Sequence, residues 1–70
     1  MSSMKSLTVN GKAVRYPGVD TVGALVAQLG VRREGIAVAV NEDVVPRAQI
    51  DAFPLSDGDS VEIIVAVAGG

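Results

Sequence analysis

The feature that most narrows the possible folds is the apolar run at residues 61–68, Val-Glu-Ile-Ile-Val-Ala-Val-Ala, which leads directly into Gly69-Gly70. Side chains alternate between faces along a strand. Val61, Ile63, Val65 and Val67 therefore face one way, and Glu62, Ile64 and Ala66 the other. A strand with apolar residues on both faces belongs in the middle of a sheet rather than at its edge. The last segment of the chain must then be inserted between strands formed earlier.

Those earlier strands can be read from turn signals. Leu7-Thr8-Val9, Asn10-Gly11 and Lys12-Ala13-Val14-Arg15-Tyr16 make a β-hairpin, because a type I′ turn needs positive φ at both central residues. A two-residue loop there sets Val9 opposite Lys12 and Leu7 opposite Val14, so Leu7, Val9 and Val14 share a face. Pro17-Gly18 closes the second strand. A helix follows, capped by Asp20 or Thr21, with Val22, Leu25, Val26 and Leu29 in a single apolar stripe and Gly30 as its stop. Gly23 inside this helix reads as a tolerated flaw costing about 1 kcal/mol relative to Ala, rather than as a point of close approach. Ile36, Val38 and Val40 face one side of the next strand, with Ala37 and Ala39 on the other. Asn41-Glu42-Asp43 turns into a short edge strand, Val44-Val45, which Pro46 ends. Residues 49–55 read as loop or one turn of helix, and Asp57-Gly58-Asp59 is a turn into the last strand, expected over residues 60–67. The order is β-β-α-β-β-β.

Composition limits the chemistry. Seventy residues make one small domain, and a chain of this length buries only about 60% of the surface its unfolded form exposes. There is no Cys and no His, and Tyr16 and Phe53 are the only aromatics. The core must therefore come from Val, Ile, Leu and Ala, without disulfides or metal staples. The same absences remove a thiol nucleophile, an imidazole base and soft metal ligands. A Ser or Lys nucleophile would need an activating neighbour in a pocket, which so short and apolar a chain has little material to build. Self-contained catalysis is not expected.

The net charge of −2 and pI of about 4.7 argue against nucleic acid as a partner. Only Arg32-Arg33 beside Glu34 is locally basic, and there is no aromatic platform for stacking. No apolar run is long enough for a membrane span and no signal-peptide pattern opens the chain, so the default compartment is the cytoplasm. The domain is expected over residues 1–68, with residues 1–4 disordered and 69–70 a flexible Gly-Gly tail. Glycine lacks a Cβ, so such a tail is narrow enough to thread a tight channel and present its carboxylate at the far end. The plainer alternative is a frayed terminus.

Four stretches together carry a resemblance that spans the chain from Leu7 onward. They are Asn10-Gly11 in the first hairpin, Thr21-Val22 opening the helix, the segment 40–47 (Val-Asn-Glu-Asp-Val-Val-Pro-Arg), and the segment 55–63 (Leu-Ser-Asp-Gly-Asp-Ser-Val-Glu-Ile) leading to Gly69-Gly70. Taken singly, Asp57-Gly58-Asp59 is a common turn and Val45-Pro46-Arg47 can be an edge-strand stop with a solvated Arg. In this order they resemble the β-grasp, ubiquitin-like proteins, and more narrowly the ThiS family of sulfur carriers in thiamine biosynthesis. The molybdopterin-synthase small subunit, a related family, fits less well: it usually carries a pair of prolines where this chain has Val65-Ala66-Val67-Ala68.

The resemblance implies an α+β, β-grasp fold, with a mixed sheet of about five strands, one main helix packed on one face and the C-terminal strand central. It also implies a mechanism. A partner similar to the ubiquitin-activating enzymes would use ATP and Mg²⁺ to adenylate the Gly70 carboxylate. A sulfur donor protein would then displace AMP, leaving a thiocarboxylate whose sulfur passes to thiazole synthase. The chain itself would bind no cofactor and would act as carrier, not enzyme, with Gly70 the reactive residue and Gly69 keeping the approach narrow.

If Val61, Ile63 and Val65 pack under the helix, then Ile64, Ala66, Ala37 and Ala39 form a mild apolar stripe on the open face, a candidate docking surface. Arg47, Asp57 and Asp59 are candidate rim contacts. A molybdopterin-type carrier, a ubiquitin-like interaction module with an idle tail, and conjugation of the tail to lysine all remain open at this level.

Overall fold

The Asn10-Gly11 pair turns the chain as its residue types demand. The computed structural model, which describes residues 4–32 and 34–65, has φ of 51° at Asn10 and 83° at Gly11, the double positive φ of a type I′ turn. The turn joins β1 (Met4–Val9) to β2 (Lys12–Pro17), antiparallel, with Val9 opposite Lys12 and Leu7 opposite Val14. That is the register read from the sequence. Leu7, Val9 and Tyr16 are buried and Val14 packs partly buried against them.

The helix α1 (Val22–Leu29) starts at Thr21, the second of the two candidate caps. Thr21 Oγ1 accepts a hydrogen bond from the Ala24 N–H at 3.1 Å, satisfying one of the orphan donors of the first turn. Gly30 ends the helix in the left-handed region. Val22, Leu25 and Val26 are buried, but Leu29, the fourth member of the stripe, is 37% exposed. Three positions of the stripe cover the sheet, and the helix's last residue faces water.

Gly23 corrects the sequence reading. A Cβ built there would lie 2.8 Å from Asp51 Cα and 2.9 Å from the Asp51 carbonyl oxygen. The glycine is a point of close backbone approach, where the helix lies against the turn that follows residue 49.

Beyond the helix come β3 (Ile36–Val40), β4 (Asp43–Val44), a 3₁₀ turn (Arg47–Gln49) and β5 (Ser60–Val65). The strands form one sheet in the order β2-β1-β5-β3-β4. β5 is central as expected, parallel to β1 and antiparallel to β3. The edge strand sits one residue earlier than read from the sequence. Asn41 and Glu42, at φ of 51° and 74°, make the turn, and Asp43 already pairs with Val40. Val45 lies beyond the strand, buried, with its N–H donating to the Val38 carbonyl at 2.8 Å. The single helical turn likewise comes at Arg47–Gln49, ahead of the 49–55 segment where it was expected.

One apolar core fills the space between α1 and the sheet. Ile36, Val38, Val40, Val61 and Ile63 enter it from β3 and β5, and Val22, Leu25 and Val26 from the helix. Val65 shares the parity of Val61 and Ile63 but is 58% exposed, so it does not pack under the helix as the alternation predicts. The expected continuation of the strand through Ala66 and Val67, the lead-in 1–3 and the tail 69–70 lie outside the described residues.

Candidate functional site

β5 is the last strand before the Gly-Gly pair in the sequence, so the site is built outward from what holds it. Short polar side chains do much of the holding. Asp57 Oδ1 accepts from the Ser6 N–H at 2.6 Å, Asp59 Oδ2 from the Ser56 N–H at 2.8 Å, and Asp59 Oδ1 from Asn41 Nδ2 at 3.0 Å. Asn41 Oδ1 in turn accepts from the Ser60 N–H at 2.9 Å. Together they fix the entry to β5. Further along, Asn10 Oδ1 accepts from the Ile63 N–H at 2.8 Å. The candidate rim residues Asp57 and Asp59 are thus engaged in the turn that starts the strand, which their residue types also explain: Asp side chains readily bond nearby backbone N–H groups.

On the face away from the helix, Ile64 is 61% exposed and stands directly opposite Ala37, itself exposed. Ala39 stands opposite Glu62 on one side and Val44 on the other. Directly opposed residues share a face with Cβ atoms about 5 Å apart, so Ile64, Ala37, Ala39 and Val44 form one apolar surface, with Glu62 beside it. The structure therefore brings together three of the residues singled out from the sequence. Val44, 76% exposed, is the member that sequence reasoning missed. Its signal was available: an Asn41-Glu42 turn puts Val40 opposite Asp43 and hence Ala39 opposite Val44.

Arg47 stands elsewhere. It opens the 3₁₀ turn and lines a shallow pocket with Glu34, Ile50 and Asp51, and Asp51 abuts Gly23 on the helix side of the sheet. Ala66, Gly69 and Gly70 lie outside the described residues.

Among the described residues, no polar or charged side chain is buried, and no group of three acidic residues stands together to hold a metal ion. None of the helices is long and apolar enough to cross a membrane. What the described residues do present is the exposed apolar face of Ile64, Ala37, Ala39 and Val44.

Comparison with known proteins extends this picture. The model of the ThiS family matches residues 7–70, a span that includes the Gly-Gly pair. The sulfur carrier protein ThiS of Escherichia coli is 36% identical over 61 residues, covering 87% of this chain and 92% of that protein. A thiazole synthase of Paramagnetospirillum magneticum is 34% identical over 64 residues; these are 91% of this chain but only 20% of that protein, so the chain spans about a fifth of its length. The crystal structure of the thiamine biosynthesis protein ThiS from Geobacter metallireducens superposes with a TM-score of 0.78 at 37% identity, covering 93% of this chain and 99% of that one.

Proposed function

The chain belongs to the ThiS family, and on that premise, as a sulfur carrier protein of thiamine biosynthesis, we propose that it carries its sulfur as a thiocarboxylate on Gly70. A carboxylate is a poor electrophile, and at neutral pH the terminal group, with an ordinary pKa of about 3.5, is ionised. Its oxygen attacks the α-phosphate of ATP on an adenylating enzyme, with Mg²⁺ as that enzyme's ion, and pyrophosphate leaves. The acyl adenylate is then attacked at its carbonyl carbon by hydrosulfide, AMP leaves as the C–O bond to its phosphate breaks, and the new C–S bond makes the thiocarboxylate, with one proton released. The resulting thiocarboxylate delivers its sulfur to thiazole synthase.

The carrier contributes delivery. Gly69 adds no side chain to the channel through which Gly70 must pass, and the Ile64–Ala37–Ala39–Val44 face supplies the apolar surface on which the partner seats. The observation that carries the reading is the family match running from Leu7 through Gly69-Gly70. The reading of thiazole synthase as recipient draws support from the Paramagnetospirillum enzyme, a single polypeptide one fifth of which aligns with this chain.

The test is the intact mass of the protein after incubation with an adenylating enzyme, ATP and sulfide. The expected shift is that of one oxygen replaced by sulfur, absent when Gly70 is deleted. No shift, with an enzyme that is active on another carrier, would refute the proposal.

A further inference from the structure

Asn10 does two things that need not go together. Its backbone forms the first half of the hairpin turn, at φ 51°, a role that Asn, Asp and Gly all fill. Its side chain points to a different strand, where Oδ1 accepts from the Ile63 N–H at 2.8 Å in a partly buried setting.

That second bond occurs where β1 has run out. The Asn10 N–H donates to the Val61 carbonyl at 2.9 Å, and Val9 opposite Val61 is the last paired position between β1 and β5. Past it, the chain of β1 has turned into β2. The Asn10 amide oxygen replaces the carbonyl that β1 would have offered next, and extends the ladder by one bond. From there β5 runs on to Val65 with β3 alone alongside, Val65 lying opposite Ile36. Burial on the helix side changes at the same place: Ile63 is 7% exposed, and Val65, the next residue on that face, 58%. Ile63 is the last residue of β5 anchored in the core, and Asn10 holds its backbone from the side that β1 has left.

We propose that Asn10 is a positioning residue for the sulfur-carrying tail: by fixing Ile63 it sets the direction in which the chain leaves the sheet toward Gly70. This rests on the carrier reading above. A strand tied along one edge frays more readily than one tied along both. A tail that must enter a narrow channel binds from the fraction of molecules in which its exit direction is right, and apparent affinity falls with that fraction. Once the tail is threaded, the partner holds it, and Asn10 has no part in the steps that follow.

Two variants separate the roles. Asn10→Gly keeps a residue suited to the turn and deletes the acceptor; Asn10→Asp keeps both. Each is assayed for thiocarboxylate formation with the adenylating enzyme, ATP and sulfide, and for amide hydrogen exchange at Ile63 and Ile64. Asn10→Gly should raise KM about two- to twelvefold, the net worth of one hydrogen bond expressed as a ratio, with kcat unchanged. Protection at Ile63 and Ile64 should fall with it, and Asn10→Asp should behave like the native chain in both measurements. A native KM in Asn10→Gly, or equal impairment in Asn10→Asp, would overturn the proposal. If the native chain itself acquires no sulfur, the carrier reading fails, and the exchange data alone decide. Unchanged protection in Asn10→Gly then overturns the role of Asn10, and lost protection upholds it as the residue that fixes the exit of β5.

Discussion

Replacing Gly23 by Ala sets two physical effects against each other, and the structure says which prevails. Helix propensity alone favours Ala over Gly at an interior position by about 1 kcal/mol, so a reading confined to α1 predicts a more stable protein. The added methyl carbon, however, would sit 2.8 Å from Asp51 Cα and 2.9 Å from its carbonyl oxygen. Both are backbone atoms, which cannot swing aside as a side-chain tip can. The turn that carries Asp51 is held on both flanks. Ala52 and Phe53 N–H groups donate to the Gln49 carbonyl, and the Val22 N–H donates to the Phe53 carbonyl at 2.9 Å. Relief therefore requires moving the helix off the turn as a unit. Overpacking of this kind costs about 1–3 kcal/mol, and a clash against backbone belongs at the upper end. With the propensity gain set against it, a net loss of about 1–2 kcal/mol remains. An unfolding entropy of about 2.1 cal/mol/K per residue gives a 70-residue chain about 0.15 kcal/mol/K. Each kcal/mol then moves Tm by about 7 °C, and Gly23→Ala should melt about 7–14 °C below the native protein. Thermal unfolding followed by circular dichroism measures this directly. A Tm equal to or above the native value would show that the contact gives way at no cost, and would refute the argument.

Three further outcomes are expected. Gly70→Ala should abolish the oxygen-to-sulfur mass shift while leaving Tm unchanged, because among the described residues the core runs from Leu7 to Ile63; sulfur transfer at the native rate would sink the narrow-channel argument. Ile64→Glu should weaken binding to the adenylating enzyme by roughly ten- to a hundredfold, the scale of losing one buried Ile side chain, as read by titration calorimetry. At a position already 61% exposed, its effect on stability should stay within about 0.5 kcal/mol, and unchanged affinity would place docking on another surface. Asp59→Ala removes the acceptors of both the Ser56 N–H and Asn41 Nδ2 and should cost about 1–2 kcal/mol in urea unfolding; a loss below about 0.3 kcal/mol would mean that water replaces both bonds.

The parts of this fold that were legible in the sequence are those whose cause is local. Asn10-Gly11 specifies a turn with two positive φ values, and the turn then dictates every pair in the first hairpin. Apolar residues on both sides of β5 place it in the middle of the sheet, and the alternation of Ile36, Val38 and Val40 with alanines assigns both faces of β3. The misreadings share a distant cause. Gly23 looked like a flaw because its reason, Asp51, lies in a turn with no periodicity to announce it. Val65 has the right parity to be buried, but parity does not reveal that β1 has turned away before β5 reaches that point. Leu29 completes a helical stripe whose first three members already cover the sheet. Of the candidate site, the open-face residues Ile64, Ala37 and Ala39 followed from alternation, while Val44 required the exact length of the Asn41-Glu42 turn. Arg47 was read from a motif, and a motif does not specify the side of the sheet on which a loop residue will lie.

The parallel pairing of β1 with β5 joins the first strand of the chain to the last. Val61, wholly buried, sits between β1 and β3 and closes the core from the middle. During synthesis, which adds about 5–20 residues per second, the ribosome makes the hairpin, the helix and β3 before it makes the strand that unites them. Without β5 the sheet falls into two pieces, β2-β1 and β3-β4, with no hydrogen bonds between them. Two-stranded pieces are at best marginally stable alone, and contacts so distant along the chain form late. A nascent or truncated chain that stops short of β5 therefore has no fold to show a partner. On the docking surface proposed above, only a chain translated through β5 presents the Ile64–Ala37–Ala39–Val44 face whole, so a partner that recognises that face would also be checking that synthesis has passed the last strand.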